Sequence, residues 1–263
     1  MKYQKLVNNS KDFLLDLLFP KFCLSCQKEG TYLCQDCQHL LEISEYNYCL
    51  CEKNPVKIFG NQVNDQTIRQ AHGKCSSCQD KKLDGLYFAL PYKEKTLTKK
   101  LIRNFKHKPY IKELAKPLAK ILIEHFILTK KNINDVWENS VLIPVPLYIK
   151  KQKSRGYNQS EELAKELSKI LKIPVISDCL IKIKNTESQM KLKKAEREKN
   201  LLNAFTITKN CATSEVAQFK NKKIFLVDDV YTTGATMQEC AKVLKNAGAK
   251  QVWGITIARE EYS

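Results

Sequence analysis

The stretch Ile224-Phe225-Leu226-Val227-Asp228-Asp229-Val230-Tyr231-Thr232-Thr233-Gly234-Ala235-Thr236 constrains the fold more than any other part of the chain. Four consecutive apolar residues predict a strand buried on both faces, the kind found in a parallel sheet covered by helices. Two carboxylates follow at its carboxyl end, where open α/β sheets place their ligands. A turn of hydroxyls and one glycine comes next. A helix then begins, with Met237, Cys240, Ala241 and Leu244 on one stripe and Gly248 as its terminator.

That order prescribes a chemistry. Unpaired backbone N–H groups at a helix start suit a phosphate. Gly234 lets the backbone come close, while Thr232, Thr233 and Thr236 add hydroxyl donors. Asp228 and Asp229, one step earlier, are placed to accept hydrogen bonds from the vicinal hydroxyls of a ribose, or to hold Mg2+ through water. The plain alternative is an acidic strand end followed by a threonine cap; the ordered combination favours a sugar phosphate. The loop lacks G-x-x-x-x-G-K-[ST], which excludes an ordinary nucleoside-triphosphate P-loop.

Cysteine is the second constraint. The chain has eleven, eight of them before residue 80. No run reaches the length of a membrane helix, and Phe13-Leu14-Leu15-Asp16-Leu17-Leu18-Phe19 is too short and too interrupted for a signal peptide. It suits one small amphipathic helix capped by Ser10. The chain therefore reads as cytoplasmic, where disulfides are not expected and metal ligation is the leading use of clustered thiols. Cys23-x-x-Cys26 and Cys34-x-x-Cys37 form two knuckles that can give four thiolates to one Zn2+. Cys49-x-Cys51 and Cys75-x-x-Cys78 form a second set, its first half one residue short of a knuckle, with His72 as an alternative ligand. Four thiolates leave no place for water, so both sites read as structural. A segment this small needs metal to fold.

The net charge of +17 is unevenly spread. Residues 91–131 hold twelve Lys/Arg against three acids, and 147–200 hold fourteen against seven, so nearly the whole excess lies there. Such a bias fits a nucleic acid or an anionic substrate, although solvated helix faces also produce it.

Between these landmarks, strands are expected at 86–92, 141–146, 180–183, 204–207 and 251–259, and basic helices at 96–105 and 111–126. In the second helix Leu114, Leu118, Ile121 and Leu122 face the core, Lys112, Lys116 and Lys120 line another side, and Pro117 predicts a kink. The loop after the second strand carries Lys150, Lys151, Lys153, Arg155 and Asn158, a cationic set suited to pyrophosphate, with a solvated basic loop as its alternative. The helix after it places Leu163, Leu167, Ile170 and Leu171 on one face. Strands alternating with helices predict an α/β fold with a mostly parallel sheet.

The acid pair and Tyr231-Thr232-Thr233-Gly234-Ala235-Thr236 resemble the PRPP-binding signature of type I phosphoribosyltransferases. Further motifs narrow the resemblance: Leu14-Leu15-Asp16-Leu17-Leu18-Phe19-Pro20 before the first knuckle, Ile143-Pro144-Val145-Pro146-Leu147, Arg155-Gly156-Tyr157-Asn158-Gln159, and T-x-x-Q-x-x-L-x-x-x-E-R-x-x-N from Thr186 to Asn200. Over nearly its full length the chain resembles the ComF/GntX family of competence-related, phosphoribosyltransferase-like proteins. The resemblance implies a zinc ribbon over 1–84 and a type I phosphoribosyltransferase domain over 85–263. It implies that Asp228 and Asp229 bind ribose hydroxyls, that residues 231–236 hold the 5′-phosphate, and that Gln189, Arg197 and Asn200 lie on a segment covering the site. It also implies a cytoplasmic role in natural transformation, handling single-stranded DNA, with a DNA-uptake machine as partner. Cys49-x-Cys51 departs from the family's usual C-x-x-C. Three readings follow: a DNA-handling factor with a PRPP or ribose 5-phosphate pocket, an active transferase releasing pyrophosphate, or a zinc-stapled interaction protein with a vestigial pocket.

Overall fold

The computed structural model describes residues 17–51, 55, 57–58, 74–129, 137–186, 200–208, 211 and 222–260. In chain order its elements begin with α1 (Gln35–His39), β1 (Asn47–Tyr48), β2 (Lys57–Ile58), β3 (Gly85–Tyr92), α2 (Leu97–Lys106), α3 (Ala115–Leu128) and β4 (Ser140–Pro144). They continue with α4 (Ile149–Arg155), α5 (Gln159–Leu171), β5 (Leu180–Lys182), β6 (Phe205–Ile207), β7 (Lys223–Tyr231), α6 (Ala235–Asn246) and β8 (Gln251–Glu260). The predicted helix at 13–19, His72, and Gln189 and Arg197 fall wholly or partly outside the described residues.

Four strands form one parallel sheet in the order β3-β8-β7-β4. Ile224, Phe225, Leu226 and Val227 are fully buried because β7 is an inner strand with helices on both sides. Alternation divides them: Phe225 and Val227 join the core built with α2, α3 and α5, while Ile224 and Leu226 join the core beneath α6. Each large apolar side chain removed from water in this way contributes about 1.5–3 kcal/mol. The chain leaves β4 for α5 on one face and leaves β7 for α6 on the other. Open sheets place their ligands between the carboxyl ends of such neighbouring strands, and the acid pair stands at that position, hereafter the crevice.

Several sequence expectations change in detail. α3 starts at Ala115 after a 3-10 turn at Lys112–Leu114, so Pro117 lies in its first turn, where its missing N–H has no helical partner to lose and no kink follows. The basic stretch read as a loop forms α4, since Lys, Gln and Arg are good helix formers; Gly156 ends it at φ 86°. On α5, Leu163 and Leu167 are buried, but Ile170 is 45% exposed. β5 and β6 pair antiparallel outside the main sheet. Their pairing brings Cys179 and Cys211 together as a disulfide with Cα atoms 5.4 Å apart, against the expectation of reduced thiols.

The cysteine segments share the cores of the sheet. Cys23, Leu33, Cys34 and Cys37 pack in one cluster with Leu114, Leu118 and Ile121. Cys49, Leu50, Cys75 and Cys78 pack in the other with Leu86 and Phe88. Among the described residues no helix is long and apolar enough to cross a membrane.

Candidate functional site

Asp228 and Asp229 sit near the carboxyl end of β7, held there by pairing with β8 on one side and β4 on the other. Asp228 Oδ1 accepts from Ser160 Oγ at 2.9 Å and from the Asp229 backbone N–H at 2.9 Å. Asp229 is buried; its Oδ1 accepts from Lys106 Nζ at 3.0 Å and from the Val230 N–H at 2.8 Å. Its Oδ2 is buried with no hydrogen-bond partner among the described residues. Burial and the adjacent Asp229 charge push the Asp228 carboxyl up to about 7, opposed by Lys106 and by the two donors on Oδ1. Burial works against the charge of Lys106, but the two carboxylates more than compensate and raise its pKa. The site thus holds an acceptor without a donor and a carboxyl poised between its two forms, an arrangement that a hydroxyl-bearing or cationic ligand would relieve.

The turn follows directly. Gly234 is the N-cap of α6 at φ 76°, and it carries no side chain to close the helix start. A Cβ there would lie 2.3 Å from the Tyr231 hydroxyl oxygen, so both conformation and contact demand glycine. Thr233 is buried, and its Oγ1 accepts from the Ala235 N–H at 3.4 Å; Thr232, Ala235 and Thr236 are partly exposed. Tyr231 is 1% exposed and packs under the turn, so it supports this loop rather than lining it, as strand pleating carries its ring to the core side.

The cations do not gather as the sequence suggests. Lys150 and Lys153 are exposed on α4. Arg155 is buried and donates to Gln159 Oε1; burial lowers its pKa while Asp229 opposes. Lys151 is lowered by partial loss of water, then by Lys106 and Arg155. Asn158 is a cap for α5, its Oδ1 accepting from the Ser160 N–H and its Nδ2 donating to Val145 O, both at 3.1 Å. Its Oδ1 and one Nδ2 hydrogen are engaged, so it braces α5 against β4 and keeps one further N–H donor. Asn200 begins a short stretch beside residues 187–199, which lie outside the described residues.

Three residues at the site carried no sequence signal. Lys106 ends α2, one position past the expected helix, and only the fold brings it 123 residues along the chain to Asp229. Ser160 looks like a helix-start serine. Lys182 on β5 has its pKa lowered by burial and by Lys151, with Cys240 and Asp228 opposing, while its Nζ lies over the Phe205 ring at 5.4 Å.

The eight expected metal ligands form two tetrads, Cys23, Cys26, Cys34 and Cys37, then Cys49, Cys51, Cys75 and Cys78, each with all sulfurs within 4.8 Å of one another. Cys26 and Cys34 Sγ are 3.5 Å apart, Cys51 and Cys75 3.3 Å, and Cys75 and Cys78 3.7 Å. Four thiolates at about 2.3 Å from Zn2+ would stand roughly 3.8 Å apart, so both tetrads fit structural zinc, Cys49-x-Cys51 included.

A phosphoribosyl transferase domain model matches residues 157–261. Competence protein F of Haemophilus influenzae is 40% identical over 121 residues, 44% of this chain and 50% of that protein. Competence protein ComFC of Bacillus subtilis is 36% identical over 120 residues, 45% of this chain and 44% of that one. The DNA utilization protein YhgH of Escherichia coli is 30% identical over 143 residues, 54% of this chain and 59% of that one. The chain thus spans about half the length of these relatives. By these matches the chain is similar to competence protein F, ComFC and YhgH, and it carries a phosphoribosyl transferase domain match beside two cysteine tetrads.

Proposed function

We propose that the crevice binds the ribose 5-phosphate part of PRPP with Mg2+, and that the protein handles single-stranded DNA during competence and DNA uptake in the cytoplasm. The observation that carries the pocket reading is the buried, unpartnered Asp229 Oδ2 beside the uncapped start of α6. Asp228 and Asp229 would accept the ribose hydroxyls, and the N–H groups and hydroxyls of residues 232–236 would hold the 5-phosphate. Mg2+ bound through the same carboxylates would neutralise a diphosphate. Lys106, which bonds Asp229, would be the nearest cation to that diphosphate, with Lys151 and Arg155 as further candidates. We divide the chain into a zinc-ribbon part, 1–84, and a phosphoribosyltransferase-like part, 85–263.

The DNA reading draws on the competence and DNA-utilization roles for which the relatives are named, and on a surface. A pocket of about 510 Å3 lies at the surface where α3 meets the first-tetrad segment, lined by Thr31, Gln35, His39, Lys116, Lys120 and Glu124 among others. Lys116 and Lys120 are exposed one helical turn apart, beside the knuckles. A phosphate backbone following that seam gives sequence-independent, salt-sensitive binding.

A second reading, transfer of ribose 5-phosphate to an acceptor with loss of pyrophosphate, draws on Lys106 beside the acid pair, since a departing polyanion needs a cation close by. Titration calorimetry with PRPP, with and without Mg2+, tests the pocket. Pyrophosphate release only in the presence of a defined base or amine would establish the second reading. The vestigial-pocket reading requires that neither experiment give a signal.

A further inference from the structure

Arg259 takes part in none of the chemistry above, yet it is 3% exposed at the carboxyl end of β8, directly across the ladder from Tyr231. Its guanidinium donates to Cys49 O at 2.8 Å and also to Cys51 O. The same group lies over the ring of Phe88 at 5.5 Å and over the ring of Tyr231 at 5.7 Å. Tyr231 is in turn the ring against which Gly234 rests. One side chain therefore spans from the backbone of two second-tetrad ligands to the support of the turn that starts α6.

The physical consequence runs in one direction. β1 and β2 pair over only two residues each, so the peptide carrying Cys49 and Cys51 is held by the packing of Leu50 and by metal on its thiolates rather than by a ladder. A buried guanidinium cannot leave its acceptors without a large desolvation cost, so it follows those two carbonyls. Its planar fork fits both oxygens while its face stacks on aromatic rings, two roles that an ammonium cannot fill together. A displacement of Arg259 would press on the Tyr231 ring, and through it on the backbone at Gly234.

We propose that Arg259 is a positioning residue for the phosphate-binding turn, through which metal in the second cysteine tetrad sets the geometry of residues 232–236. This rests on the proposed phosphosugar pocket for its functional meaning, although the coupling itself does not require a ligand. The test uses the full, zinc-loaded chain and four variants: Arg259→Lys, Cys51→Ser, their double, and Ile121→Val. Ile121 lies in the core of the opposite sheet face and controls for a general loss of stability.

Two quantities are read: amide hydrogen exchange over residues 231–236 without ligand, and calorimetric affinity for ribose 5-phosphate. Arg259→Lys and Cys51→Ser should each raise exchange over the turn and lower affinity about tenfold, and the double should do no more than either single, since both act through one link. Ile121→Val should leave the turn unchanged. Additive effects, an unmoved turn in Cys51→Ser, or an equal response in Ile121→Val would overturn the proposal. If Arg259→Lys fails to fold, Cys51→Ser against Ile121→Val still decides. Should the wild type bind no ribose 5-phosphate, the pocket reading fails, while hydrogen exchange continues to test the coupling.

Discussion

Replacing Asp228 by Asn should make the free protein more stable at pH 8 and leave it unchanged at pH 4. Burial and the Asp229 charge hold the Asp228 carboxyl at about 7 against an ordinary 3.8. An acid raised in this way keeps its proton in the folded chain after the unfolded chain has lost it. Stability therefore falls as pH rises from about 4 to about 7, and the full cost is present above that. At about 1.4 kcal/mol per pH unit, the gap between the two values corresponds to roughly 4 kcal/mol. Asp228 is partly exposed, and solvent screening reduces the working figure to roughly 2 kcal/mol. Asn keeps an oxygen for the Ser160 hydroxyl and the Asp229 N–H, so the substitution removes the charge without removing the bonds. Urea unfolding of both proteins at pH 4 and pH 8 reads the difference directly. A gain near 2 kcal/mol at pH 8 that vanishes at pH 4 is expected; equal stability at both pH values would show that no strained carboxyl is stored there.

Other perturbations act on the same crevice. Lys106→Met removes the cation bonded to Asp229, which should cost about 1–2 kcal/mol at pH 8, given that the lysine side chain is 34% exposed. It should also move the Asp228 carboxyl above 7 in an NMR titration, and an unmoved carboxyl would contradict the pairing. Gly234→Ala forces a side chain into the Tyr231 ring at φ 76°, with an expected loss of about 2 kcal/mol or more and of ribose 5-phosphate affinity; wild-type melting and binding would count against the turn's assigned role. Lys116→Ala with Lys120→Ala should flatten the plot of log affinity for single-stranded DNA against log salt by roughly 1.4, the expectation for two phosphate contacts on a single strand. An unchanged slope places the DNA elsewhere.

The parts of this molecule that are legible from sequence are those whose signal is local. The apolar run 224–227, the hydroxyl turn and the stripe Met237, Cys240, Ala241 and Leu244 are contiguous, and each lands where periodicity puts it. The cysteine spacing likewise announces both tetrads, because each half is a pair of thiols a few residues apart, although the second tetrad joins halves separated by residues 52–74. What is not legible depends on distant neighbours. A run of cations looks alike whether it is a loop or a helix, which hides α4, and with it the division of Lys150 and Lys153 to solvent and Arg155 to the interior. Asn158 has the composition of an anion donor but also bonds Val145 and caps α5 at Ser160, partners that only packing supplies. Lys106, Ser160, Lys182 and Arg259 gain their roles from strand order, which no local pattern encodes.

Calorimetric titration of PRPP into the zinc-loaded protein in the presence of Mg2+, beside the Asp228→Asn, Asp229→Asn double variant, bears most directly on what the crevice is for. Mg2+-dependent binding by the wild type and none by the double variant, with the double variant still folded, is the predicted result. Equal affinity in the two proteins would show that the acid pair does not hold the ligand.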